Sequence, residues 1–137
     1  MPEASAIEIQ DSTLKWVMSF GDGVAVSVTA YIHHPPRPSG PEGGSFWLED
    51  FYFEFRKGQV RGGTPRGAFR IASGQLEVRG ERYANLIPLP FRKRGYARLE
   101  LLGSNRKKIV IEGMDVLIIP KKDVRLEEFT GVSEKVH

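Results

Sequence analysis

The chain has 137 residues, 40% of them hydrophobic, with a formal net charge of +3 and no cysteine. This length and composition predict one globular domain spanning residues 1–137, and the missing cysteines exclude disulfides, a thiolate nucleophile and a cysteine-based zinc site. No signal peptide and no stretch long enough to cross a bilayer is visible, so we expect a cytoplasmic protein without a membrane segment.

The first half of the chain shows the period-two alternation of β-strands. Residues 14–20 and 24–32 each place apolar side chains on one face, and Gly21-Asp22-Gly23 supplies a turn between them, which predicts a hairpin. Residues 33–45 contain four prolines and three glycines and predict a long loop. Residues 46–56 predict an aromatic strand with four side chains on one face: Trp47, Phe51, Phe53 and Phe55.

The second half predicts shorter strands separated by glycines. Residues 59–61, 68–72 and 75–79 alternate, with Ser73-Gly74 and Gly80 as turns. Residues 83–91 carry two prolines, which lack ladder donors, and predict an edge strand or an unpaired crossing segment. Residues 96–102, 108–112 and 115–119 predict a meander with a turn at Gly113, followed by a last strand or one helical turn at 124–129. Residues 1–6 and 130–137 are expected to be flexible tails.

Together these elements define the predicted fold class. No window of the chain shows the 3.6-residue apolar period of a helix, and no internal repeat is visible. About nine short strands with closely spaced turns predict an all-β domain. We expect an antiparallel β-sandwich or flattened barrel with at most one short helical turn.

Charge is the most uneven feature of the sequence. Before Arg56 there are two basic and eight acidic residues, whereas from Arg56 onward there are 18 basic and nine acidic ones. Acidic and basic strands could neutralise each other across the sheet, or the basic half could form a surface pole. Residues 92–94 and 106–108 are interpreted as the tips of two hairpins. The predicted partner-binding residues are the clustered cations of this half: Arg56, Lys57, Arg61, Arg66, Arg92, Lys93, Arg94, Arg106, Lys107 and Lys108.

Residues that could carry catalysis are few. His33 and His34 are adjacent, and adjacent side chains on a strand point to opposite faces, so they do not predict a shared metal site. The same alternation separates Glu49 from Asp50. No nucleophile motif and no phosphate-binding loop is present. The sequence therefore predicts no catalytic residue, metal or cofactor, and an enzyme built on His33, His34 and Asp50 is the weakest hypothesis.

The binding hypotheses follow in order of support. The first is a non-enzymatic binding module that contacts an acidic protein or another polyanion through the basic hairpin tips and the 33–45 loop. The second is a β-barrel that binds a small molecule in a cavity lined by aromatic residues such as Trp47, Phe51 and Phe53. The third binds single-stranded nucleic acid through the cations and four interleaved aromatic residues: Phe69, Tyr83, Phe91 and Tyr96. A second copy of the chain could also pair at a sheet edge.

Overall fold

The computed structural model describes residues 5–34, 45–62, 65 and 67–121, and within these ranges the regular elements are β-strands. They are β1 (Ala6–Phe20), β2 (Gly23–His34), β3 (Ser45–Arg61), β4 (Phe69–Val78), β5 (Glu81–Tyr83), β6 (Leu86–Pro88), β7 (Phe91–Gly103) and β8 (Lys108–Pro120). The predicted element at residues 124–129, the predicted tail at 130–137 and the candidate site residue Arg66 lie outside the described residues.

The strands form one antiparallel sheet that closes on itself. Neighbouring strands follow the order β5-β4-β7-β8-β3-β2-β1-β6, and β4 also pairs with β1, where Phe69 faces Leu14. This closure makes a barrel of six strands, from β1 through β2, β3, β8 and β7 to β4, with β5 and β6 as additional strands. The predicted all-β flattened barrel is therefore confirmed, with eight described strands where the sequence indicated about nine.

Inward-facing side chains fill the barrel. Phe51, Phe53 and Phe55 alternate along β3, and each exposes 2% of its surface or less, as the alternation predicted. They meet Phe91 of β7 and aliphatic side chains of the other strands in one continuous core. The cavity left among the core residues has a volume of about 10 Å³, which admits one water molecule at most.

Two glycines that the sequence indicated as turns lie inside strands. At Gly74 in β4, a Cβ would come within 2.7 Å of the Ile9 side chain and 2.8 Å of the Leu101 side chain. At Gly113 in β8, a Cβ would lie 2.8 Å from the carbonyl oxygen of Arg56. Both glycines permit the close approach of a neighbouring strand instead of a chain reversal. The short strands predicted on either side of each glycine are consequently the single strands β4 and β8.

Other strand boundaries also differ from the prediction. His33 and His34 belong to β2, so the predicted loop begins after them, and β3 continues to Arg61 without a break. The predicted segment 83–91 contributes to β5 and β6, which occupy the two ends of the strand order, and to the start of β7. Ala6, placed by the sequence in the N-terminal tail, is the first residue of β1.

Three neighbouring strands bend at the same level of the barrel. The pairing of β3 with β8 is irregular between Arg56 and Gln59, and the pairing of β7 with β8 is irregular between Lys93 and Tyr96. Within these irregularities the backbone is left-handed at Lys57 (φ 49°), Asp115 (φ 62°) and Gly95 (φ 107°). Bulges bend strands and are common at the rims of barrels. We call these three positions the bulge corner.

Candidate functional site

Asp115 connects the three strands of the bulge corner. Its Oδ1 accepts a hydrogen bond from the backbone N–H of Gly95 at 2.8 Å. Its Oδ2 lies 3.5 Å from Nη1 of Arg56. An Asp tolerates the left-handed backbone better than most residues, because its short polar side chain can satisfy nearby backbone groups. Asp115 therefore joins β8 to β7 through a hydrogen bond and to β3 through an ion pair.

A groove with a volume of about 480 Å³ opens beside this corner. Its walls come from the turn between β1 and β2 and from β3, β7 and β8. We call it the bulge groove, and the residues that line it are Phe20, Asp22, Gly23, Glu54, Phe55, Arg56, Arg92, Lys93, Arg94, Asp115, Val116 and Leu117. Its volume falls within the range of about 300–1,000 Å³ that is typical of ligand sites.

The bulge groove brings together four of the predicted site residues: Arg56, Arg92, Lys93 and Arg94. Arg56 is paired with Asp115. Within the described part of the chain, no carboxylate lies within 4.0 Å of the charged nitrogens of Arg92, Lys93 or Arg94, all of which are exposed. These three cations can therefore contact a bound anion without first breaking an ion pair. Lys57, also predicted as a site residue, is exposed at the corner next to Arg56.

Arg79 is a cation of this region that is not among the predicted partner-binding residues. It follows β4 in the turn to β5, and its backbone N–H donates to the carbonyl oxygen of Tyr96 at 3.0 Å. Its Cγ and Cδ atoms lie 2.5 Å from the position that a Cβ on Gly95 would take. The pairing of β4 with β7 places Arg79 beside the bulge corner, and in the sequence only the Arg-Gly turn marked this position.

The remaining predicted site residues lie away from the bulge groove. Arg106 and Lys107 occupy the turn between β7 and β8, and Lys108 begins β8, so this hairpin tip is confirmed. Along β7 the tip is about 30 Å from Arg94, at roughly 3.3 Å per residue. Residues 92–94 lie within β7, so the prediction that they form a second hairpin tip is wrong. Arg61 ends β3 opposite Val110, on the side of the hairpin tip.

Carboxylates of the basic half neutralise several of its cations. Glu112 binds Arg61 and accepts a hydrogen bond from the Tyr96 hydroxyl at 2.7 Å. These hydrogen bonds lower the pKa of the Glu112 carboxyl. Glu100 pairs with Lys108 at 2.6 Å, and that hydrogen bond lowers the pKa of the Glu100 carboxyl. Arg61 and Lys108 are thus already paired and are poorer candidates for binding a partner.

Neutralisation between the acidic and the basic half is limited in the described part of the chain. It occurs between Arg70 and Asp11, at 3.3 Å, and between Lys121 and Asp50, at 3.9 Å. Neither pair lines the bulge groove. The acidic strands consequently leave the cations of the groove available.

The bulge groove also contains carboxylates. Asp22, Glu54 and Asp115 line it together with the four cations. Glu54 lies between Ala25 and Leu117 on the strand ladder, and burial raises the pKa of its carboxyl. Fixed carboxylates disfavour a continuous run of phosphates in the same groove. The arrangement is better suited to a partner that carries separated acidic groups.

Three exposed apolar side chains lie in or beside the groove. Met18 and Phe20, each 44% exposed, lie two residues apart on β1, and Phe20 lines the groove itself. Met114, which is 41% exposed, sits between Arg56 and Tyr96 on the ladder. Aromatic residues, Met and Arg are the residue types enriched in protein–protein interfaces. Met18, Phe20 and Met114, together with the arginines of the groove, are residues of these types.

The aromatic residues expected to stack on nucleic-acid bases are mostly committed to packing. Phe91 is buried, and Phe69 and Tyr83 pack against the core, with the Tyr83 ring edge-on to Phe91 at 5.1 Å. Tyr96 is exposed, but its hydroxyl is bonded to Glu112. Only one of the four aromatic residues thus offers a ring to a base.

The small-molecule hypothesis requires an open cavity inside the barrel. The described core leaves a cavity of about 10 Å³, because Phe51 and Phe53 fill the interior. The side chain of Trp47 lies outside the described residues. A ligand cavity inside a barrel requires an incompletely filled interior. The described interior therefore has no room for a small-molecule ligand.

The residues of the enzyme hypothesis are separated. His33 Nε2 lies 2.7 Å from Glu8 Oε1, whereas Asp50 accepts a hydrogen bond from the Thr29 hydroxyl. Thr29 is also the ladder partner of Asp50, so His33 is roughly 13 Å further along β2. The side chain of His34 is outside the described residues. The described His, Asp and Glu side chains include no group of three that could hold a metal ion.

Comparison with known proteins does not identify a relative. No protein-family model matches the chain, and neither the curated proteins nor the solved structures contain a match. The described residues form no helix that is long and apolar enough to span a membrane.

Proposed function

We propose that this protein is a non-enzymatic interaction module that binds an acidic segment of a partner protein in the bulge groove. The observation that carries the proposal is the trio Arg92, Lys93 and Arg94, which is exposed and has no ion-pair partner among the described residues, beside exposed apolar side chains. Cations at such a rim guide an acidic partner to the site and orient it.

The apolar side chains supply the second part of the recognition. Met18, Phe20 and Met114 offer flexible or aromatic surface that an isolated acidic polymer would leave in contact with water. Removing such surface from water on association is favourable. A partner segment that alternates acidic and apolar residues satisfies both parts of the groove, so the proposal is specific to a protein segment of that composition.

Titration of a fluorescein-labelled peptide in which Glu and Leu alternate, followed by anisotropy, tests the proposal. We expect saturable binding that weakens as NaCl rises from about 0.1 M to about 1 M, because the Debye length falls from about 10 Å to about 3 Å. The double variant Arg92→Glu/Arg94→Glu should lose at least about fivefold in affinity, since each reversal replaces an attraction with a repulsion.

The matched control is Arg106→Glu/Lys107→Glu, which makes the same change of charge at the distant hairpin tip. Its affinity for the peptide should remain within about twofold of the wild type. Equal losses in both double variants would show that the peptide responds to net charge alone and would refute the groove as the site. Labelled oligothymidylate is titrated in parallel, and tighter binding of that strand than of the peptide would replace the proposal with the nucleic-acid hypothesis.

A further inference from the structure

The beginning of β7 has an open edge next to the bulge groove. β7 pairs with β8 on one side from Phe91 onward. On its other side, the pairing with β4 ends where Val78 faces Ala97, followed by one more backbone hydrogen bond from Arg79 to Tyr96. After β4 the chain turns away from β7 at Arg79 and Gly80 and returns along the far side of β4 as β5. In the described part of the chain, no strand lies beside residues 92–94 on the side away from β8.

An open edge of this kind offers backbone hydrogen-bonding groups. Along an antiparallel pair, successive residues alternately point their N–H and C=O groups toward the partner strand and away from it. Of the consecutive residues Arg92, Lys93 and Arg94, at least one therefore directs its backbone donor and acceptor away from β8. The side chains of all three are exposed.

We infer that the acidic partner segment binds as an additional β-strand along residues 92–94 of β7, an inference that rests on the proposed function. Backbone hydrogen bonds at the edge would hold an extended segment, and its acidic side chains would lie beside the cations as cross-strand pairs about 5 Å apart. Alternation in the added strand places its acidic and apolar residues on opposite faces, which matches the mixture of cations and exposed apolar residues around the groove.

Charge distinguishes this occupant from a second copy of the chain. Pairing two copies through the same edge would place residues 92–94 of one copy opposite those of the other, and like charges directly opposite each other destabilise a sheet. An edge protected by cations repels other basic edges but attracts an acidic strand. The acidic segment is therefore the occupant that the edge favours.

The test compares the alternating Glu/Leu peptide with the same peptide methylated at every backbone nitrogen. Methylation keeps the acidic and apolar side chains but removes the backbone donors that a strand requires. We expect the methylated peptide to bind at least about tenfold more weakly than the parent. Amide hydrogen exchange of the protein saturated with the parent peptide should slow about tenfold or more at one or more of residues 92–94 and remain unchanged in the turn between β7 and β8.

The outcomes distinguish binding in the groove from strand addition at the edge of β7. If the parent peptide binds and Arg92→Glu/Arg94→Glu weakens it, but the methylated peptide binds equally well and no amide of residues 92–94 slows, the groove is a binding site and strand addition is wrong. If the parent peptide does not bind at all, both the proposed function and this inference fail. Dimerisation at the concentrations of the experiment, with the same amides protected in the absence of peptide, would assign the edge to a second copy.

Discussion

Replacement of Asp115 tests the bulge corner most directly, because one carboxylate joins β8 to two neighbouring strands. Asp115→Ala removes the acceptor of the Gly95 N–H, which is 2.8 Å away and partly buried. An N–H left without a partner costs roughly 1–3 kcal/mol. Alanine must also adopt the left-handed backbone at φ 62°, at a cost of about 1 kcal/mol. The ion pair with Arg56 contributes less than about 1 kcal/mol, since the Arg56 side chain is 71% exposed.

The expected loss for Asp115→Ala is therefore about 2–4 kcal/mol, a large share of the 5–15 kcal/mol of a typical domain. Asp115→Asn keeps an acceptor and tolerates the left-handed backbone, so its loss should be about 1 kcal/mol or less. Asp115→Gly relieves the backbone strain but still leaves the N–H without its acceptor, and should fall between the two. Urea unfolding at pH 7 gives the three free energies of unfolding by linear extrapolation. A loss below about 0.5 kcal/mol for Asp115→Ala, or equal losses for Ala and Asn, would refute this account of the corner.

Two further predictions concern the groove and the strand that forms its wall. Burial raises the pKa of Glu54 above its ordinary value of 4.5, so the folded protein holds the Glu54 proton more tightly than the unfolded chain does. The stability linked to this proton is complete below the ordinary pKa and is lost as the pH rises through the raised value. Glu54→Gln should therefore unfold at a higher temperature than the wild type at pH 7 and at the same temperature near pH 4, and should bind the acidic peptide more tightly. Gly113→Ala should lower the free energy of unfolding by about 1–3 kcal/mol, because its Cβ would meet the Arg56 carbonyl oxygen at 2.8 Å. Gly67→Ala should be neutral, because a Cβ there would have no atom of the described residues within 4 Å.

One experimental result would contradict each of these two predictions. A thermal shift for Glu54→Gln that persists unchanged at low pH would mean that the loss of ionisation is not its cause. An unchanged urea midpoint for Gly113→Ala would mean that β3 and β8 do not approach as closely at the corner as the structure indicates.

Some of the fold is determined by local sequence. The hairpin of β1 and β2 follows from alternation on both sides of Gly21-Asp22, because a two-residue turn fixes which residues face each other. The burial of Phe51, Phe53 and Phe55 follows from the same alternation. Both features depend on residues that are close in the chain, which is why the sequence predicted them correctly.

Glycine is the residue whose role the sequence alone could not assign. Gly74 and Gly113 read as turns, since a local pattern cannot distinguish a reversal from a position where another strand approaches closely. The atoms that exclude a side chain at these positions belong to residues distant in the chain, such as Ile9 at Gly74 and Arg56 at Gly113. Only the closed barrel brings these residues together.

For the candidate site, too, the sequence determined some features and the tertiary structure decided others. The sequence by itself determined that the second half of the chain is basic and that cations cluster at residues 92–94 and 106–108. The tertiary structure decided that the two clusters lie at opposite ends of β7, that Glu100 and Glu112 neutralise Lys108 and Arg61, and that Arg79 lies beside the groove. The physical reason is strand register: a list of charges does not say which residues face each other, and pairing across the sheet determines which cations remain available to a partner.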